Sequence, residues 1–66
     1  MVANKNYFFN NELIIRENEN VEIIDIEIRK NDNLYFVVES LYTGIRIKLK
    51  YADIYDALDD GWEIRP

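Results

Sequence analysis

Leu34–Lys50 reads LYFVVESLYTGIRIKLK, and its reading decides the fold. Leu34–Glu39 is built from aromatic and β-branched residues, which fit a pleated, half-buried surface. From Ile45 the pattern alternates strictly: Ile45, Ile47 and Leu49 share one phase, Arg46, Lys48 and Lys50 the other. Strand side chains repeat every two residues, so this segment buries one face and wets the other. Gly44, in the connection between them, supplies a positive φ without steric cost. The stretch is a β-hairpin with a basic outer stripe.

Working outward, Val21–Lys30 (VEIIDIEIRK) is the longest strand candidate. Val21 and Ile23 share one phase, while Ile24, Ile26 and Ile28 share the other. A β-bulge at Ile23-Ile24 accounts for the slip, since one extra residue re-aims the faces that follow. The alternative is a strand buried in part on both faces. Asn31-Asp32-Asn33 is a turn signal that joins this strand to Leu34. Further back, Tyr7-Phe8-Phe9 and Glu12–Arg16 flank Asn10-Asn11, a pair that tolerates the left-handed backbone of a two-residue hairpin turn. One irregular strand bulged at the Asn pair is the alternative. Residues 1–6 are polar and read as loose.

Beyond Lys50 the period changes. Tyr51, Ile54, Tyr55 and Leu58 fall at the i, i+3, i+4, i+7 spacing of one helix face. Gly61 sits where a helix-ending glycine is expected. A helix this short is marginal alone, so the expectation is that it docks by this face. Trp62-Glu63-Ile64 reads as a short closing strand. The expected core is Ile45, Ile47, Leu49, Ile54, Leu58 and Trp62.

The 66 residues form one domain, mainly β, expected as a small barrel or a twisted antiparallel sheet with one short C-terminal helix. A chain this short buries about 60% of its unfolded surface, and a single core of this size supplies about 3–5 kcal/mol. There is no Cys and no His, which removes disulfides, thiolate metal sites and the commonest general base. With Ser40 and Thr43 as the hydroxyls besides tyrosine, and two glycines in all, neither a nucleophile–base pair nor a phosphate loop can be assembled. The chain reads as non-catalytic, with no cofactor and no metal. The N-terminus has no signal-peptide pattern and no apolar run reaches membrane-spanning length, so a cytoplasmic location without membrane association is expected.

The net charge of −5 opposes binding to duplex nucleic acid or anionic membrane and suits a partner with a basic surface. The acids concentrate at the end: Asp53, Asp56, Asp59, Asp60 and Glu63 come with no cation between Lys50 and Arg65. Asp59 and Asp60 lie at the negative end of the expected helix, a placement the helix dipole disfavours. Such carboxylates, with an exposed Tyr or Trp62 beside them as an anchor, form the candidate partner-binding set. The plain alternative is a solvated helix face. A second candidate set is Arg46, Lys48 and Lys50 with Tyr42, cations to track phosphates and an aromatic to stack a base of a single strand. Its plain alternative is cross-strand pairing with Glu22, Asp25 and Glu27. Self-association is a third reading, since unpaired strand edges and a small core invite it.

The element order from Val21 to Ile64, with the YTG turn followed by IRIKLKYADI, resembles SH3-like small β-barrels, in which a helical turn precedes the closing strand. That resemblance implies a barrel fold and transfers no ligand site. In style the short, acidic, Asn- and Ile-rich chain is similar to small phage and mobile-element proteins of low-GC bacteria. This implies inhibition or modulation of a host protein, in some cases by imitating DNA.

Overall fold

The computed structural model describes residues 1–30 and 33–63, and these hold five strands and one helix. The expected turn at Asn31-Asp32 and the end of the expected closing strand at Ile64 lie outside the described residues. β1 (Tyr7–Phe9) and β2 (Glu12–Ile15) form a two-stranded antiparallel sheet. Asn10 and Asn11 make its turn at φ 49° and 64°, the left-handed pair whose twist suits a hairpin. The hairpin reading, and not the single bulged strand, is the one that forms.

β3 (Val21–Ile28), β4 (Leu34–Ser40) and β5 (Arg46–Tyr51) make a second antiparallel sheet with β4 in the middle. The phase slip in β3 is a bulge: Ile23 pairs with Val38 and Asp25 with Val37, leaving Ile24 without a partner of its own. Gly44 turns the β4–β5 connection at φ +77°. Register then sorts the sheet into rows. On the inner face lie Ile23–Val38–Ile47, Ile26–Phe36–Leu49 and Ile28–Leu34–Tyr51. On the outer face lie Glu22–Glu39–Arg46, Asp25–Val37–Lys48 and Glu27–Tyr35–Lys50. No strand pairing joins the two sheets among the described residues, so the layout is mainly β without a closed barrel.

The core gathers Ala3, Ile15, Val21, Leu34, Phe36, Val38, Ala57 and Trp62. Trp62 meets Phe36 edge-on at 6.3 Å and stacks on Tyr7 at 6.4 Å, two arrangements that the ring quadrupoles favour. The start of the chain is tied in, contrary to the loose segment expected. Ala3 is buried, its N–H donates to the Glu19 carbonyl at 2.9 Å, and Val21 donates to the Met1 carbonyl at 3.1 Å.

α1 (Ile54–Asp59) starts at Asp53, whose carboxylate accepts the Asp56 N–H at 2.9 Å. Asp56 in turn accepts the Ala52 N–H, a reciprocal arrangement akin to a capping box. The helix ends in a Schellman turn: Gly61, at φ +99°, donates to Leu58 and Trp62 donates to Ala57. This turn sends Trp62 back onto the sheet.

Three expectations are corrected here. Tyr51 belongs to β5, and the helix buries Ala57 while Ile54, Tyr55 and Leu58 are exposed. The physical reason is size. The six-residue helix rests on its small residue Ala57, and Trp62, expected in the core beside the helix side chains, is buried there without Ile54 and Leu58. Ile45 precedes β5 and is exposed, while Ile47 and Leu49 are half-buried. Trp62 and Glu63 are not in a strand, because the Trp62 N–H is committed to the helix end. Among the described residues no helix is long and apolar enough to cross a membrane.

Candidate protein-binding surface

The acidic residues divide by role once their partners are known. Asp53 and Asp56 cap the start of α1 and remain exposed. Asp59 is exposed on its last turn, and Glu63 follows beyond the Schellman turn. Asp60 is different. Its side chain accepts the Tyr51 hydroxyl at 2.6 Å and the Lys5 ammonium at 3.0 and 3.1 Å. Asn4 donates to the Asp60 carbonyl at 2.7 Å. The Tyr51 hydrogen bond, then that from Lys5, holds the Asp60 carboxyl below the usual carboxylate range. The dipole penalty at the helix end is thus offset by direct donors. Asp60 belongs to the structure rather than to a free acidic face.

The same network carries Trp62, whose indole N–H donates to the Tyr51 oxygen at 2.8 Å. Trp62 is 2% exposed, as a core residue, and cannot serve as the exposed anchor, which leaves that part to an exposed tyrosine. Burial raises the Tyr51 hydroxyl above its ordinary range, with the hydrogen bond to Asp60 acting the same way. Burial also raises Tyr7, which donates to Asn4. These groups clamp the N-terminus, β5 and the turn after α1 together.

Pattern reasoning missed the outward apolar side of α1. Tyr55 is 73% exposed, with Ile54 and Leu58 also exposed. Residues four apart are neighbours on a helix, so Ile54, Leu58 and the adjacent Tyr55 form a continuous apolar strip. Asp59 and Asp56 follow on one side of it beyond Tyr55, Asp53 stands at the helix start, and the buried Ala57 lies on the other side. The signal was present as the spacing itself, but spacing gives a stripe and not its direction.

The basic set is also placed. Arg46, Lys48 and Lys50 stand in one column on the outer face of β5. Arg46 pairs with Glu39 at 2.6 Å, and Lys48 lies over the Tyr35 ring at 5.0 Å. Glu22, Asp25 and Glu27 do not face these cations directly, because β4 separates β3 from β5. Tyr42 is 87% exposed in the β4–β5 connection. No group of three or more acidic, His or Cys side chains among the described residues is arranged to hold a metal ion.

Comparison with protein-family models, curated proteins and solved structures finds no match to this chain.

Proposed function

We propose that this is a non-catalytic, cytoplasmic protein-binding domain that docks through the outward side of α1 onto a partner with a basic, partly apolar surface. The observation that carries this reading is the exposure of Ile54, Tyr55 and Leu58 beside the exposed carboxylates of Asp53, Asp56 and Asp59. A desolvated aromatic centre with a charged rim is the usual anatomy of a binding hot spot. The carboxylates steer the encounter, and the apolar strip supplies the lasting contact. In this reading the chain acts as an inhibitor or modulator of a host protein, in the manner of small acidic phage proteins, and its fold is an opened relative of the SH3-like barrel. Support for both comes from charge, size and element order alone.

The test is capture on immobilised protein, with the wild type compared against Tyr55→Ala and against Asp53→Ser with Asp59→Asn. Serine retains the helix cap. A partner bound by the wild type, lost with Tyr55→Ala and bound more slowly by the acid variant, fits the reading. An identical captured set for all three proteins sinks it. The second reading, single-strand binding through Arg46, Lys48, Lys50 and Tyr42, is favoured by the exposed Tyr42 ring. Fluorescence anisotropy with single-stranded probes distinguishes it.

A further inference from the structure

The two edges of the three-stranded sheet are complementary to each other. β3 carries Glu22, Asp25 and Glu27 on the outer face, all exposed, and β5 carries Arg46, Lys48 and Lys50 on the same face, also exposed. The inner face follows the same logic in apolar terms. Ile26 and Ile28 of β3 share the inner-face rows with Phe36 and Leu34 yet are 53% and 72% exposed. Beside β5, between it and the β1–β2 hairpin, runs a mainly apolar groove lined by Phe8, Phe9, Ile47 and Leu49, to which Arg46 and Lys48 also contribute. One edge presents isoleucine side chains and the other an apolar groove to receive them. Among the described residues, neither β5 nor β3 from Glu22 onward has a backbone partner beyond β4.

We infer that the occupant of each edge is a second copy of this chain, with β5 of one copy pairing alongside β3 of the next. This goes beyond the helix surface proposed above and uses none of its residues. β3 and β5 are both antiparallel to β4 and so run in the same direction. Repeating the sheet sideways with its inner face kept on one side therefore places β5 parallel to the neighbour's β3. In the unstaggered register Arg46 comes beside Glu22, Lys48 beside Asp25 and Lys50 beside Glu27. On the inner side Ile47 meets Ile23, Leu49 meets Ile26 and Tyr51 meets Ile28. Every outer pair is of opposite charge and every inner pair is apolar, the combination that stabilises neighbouring strands.

The symmetric alternatives are disfavoured by the same residues. A two-fold axis normal to the sheet would set β3 against β3 or β5 against β5, acids facing acids and cations facing cations. A flipped neighbour would put the charged outer face beside the apolar inner one. The charge pattern thus selects a head-to-tail contact, which builds rings or open chains of copies rather than a closed dimer. The bulge at Ile24 interrupts the β3 edge, a feature that often protects edges. It divides the edge into Glu22-Ile23 and the longer segment Asp25–Ile28, both of which take part in the register above.

The test is sedimentation velocity on the full chain over a range of concentrations, at low and high salt. Association that grows with concentration and weakens with salt is expected. Lys48→Glu with Lys50→Glu makes both edges acidic, and Glu22→Lys with Asp25→Lys makes both basic. Each double variant alone should stay monomeric, while an equimolar mixture should associate. Both keep a net negative charge, starting from −5, so bulk attraction does not explain such a rescue. Ile28→Asp, at a site already solvated in the single copy, should lose association with its circular-dichroism spectrum unchanged. A wild type that stays monomeric at low salt overturns the inference. So does a double variant that associates alone, a mixture that stays monomeric, or undiminished association of Ile28→Asp.

Discussion

The Tyr51 hydroxyl donates to the Asp60 carboxylate at 2.6 Å, and the same oxygen accepts the buried indole N–H of Trp62 at 2.8 Å. One phenol therefore links the last residue of β5 to the turn that closes α1. Lys5 brings the N-terminus to the same carboxyl group, and Asn4 donates to both the carbonyl and the carboxylate of Asp60. A domain without disulfides gains much of its closure at this point.

Asp60→Asn should destabilise the fold by about 1–2 kcal/mol, since hydrogen bonds to a charged group are replaced by weaker ones. Asp59→Asn, at an exposed site, should be neutral within about 0.5 kcal/mol. Urea midpoints of the two variants decide this. Equal effects would return Asp60 to the free acidic face from which its partners remove it.

The pH dependence follows from the direction of each shift. The folded-state pKa of Asp60 is lowered, so its contribution is present above the unfolded value of about 4 and is lost as pH falls through the folded value. That of Tyr51 is raised, so its contribution is present below an unfolded value of about 10 and is lost as pH rises beyond it. Tyr51→Phe should flatten both arms of a stability profile measured by denaturant titration. An unchanged profile in this variant would place the titrating groups elsewhere.

Ala57→Leu should cost about 1–3 kcal/mol by overpacking a fully buried site. Leu58→Ala, on the outward side, should cost less than about 1 kcal/mol. The opposite ranking in thermal melts would restore the helix face that spacing alone suggests.

Gly61→Ala should cost about 1–2 kcal/mol. An added Cβ would meet only Asn4 Cβ, at an ordinary 3.5 Å, so the cost is that of holding a side chain at φ +99°. Trp62→Ala removes the largest fully buried side chain and should cost about 3–5 kcal/mol, enough to unfold a domain of this size. Far-ultraviolet circular dichroism distinguishes the partial loss from the complete one.

What the sequence determined by itself is local. Aromatic and β-branched composition placed β4, strict alternation placed β5, the phase slip in VEIIDIEI announced the bulge at Ile24, and the Asn pair announced the hairpin turn. These are properties of neighbouring residues, set by backbone sterics and by the two-residue period of a strand. Tertiary structure alone decided which way each apolar face points. The spacing of Ile54, Tyr55 and Leu58 defines a stripe without a direction, and the Schellman turn that seats Trp62 on Phe36 settles it outward. Asp60 likewise reads as a surface acid until Lys5, distant in the chain, and Tyr51, at the end of β5, converge on it. Burial and electrostatics depend on what covers a residue, and groups such as Asn4 and Lys5 come from the far end of the chain, beyond the reach of any local period.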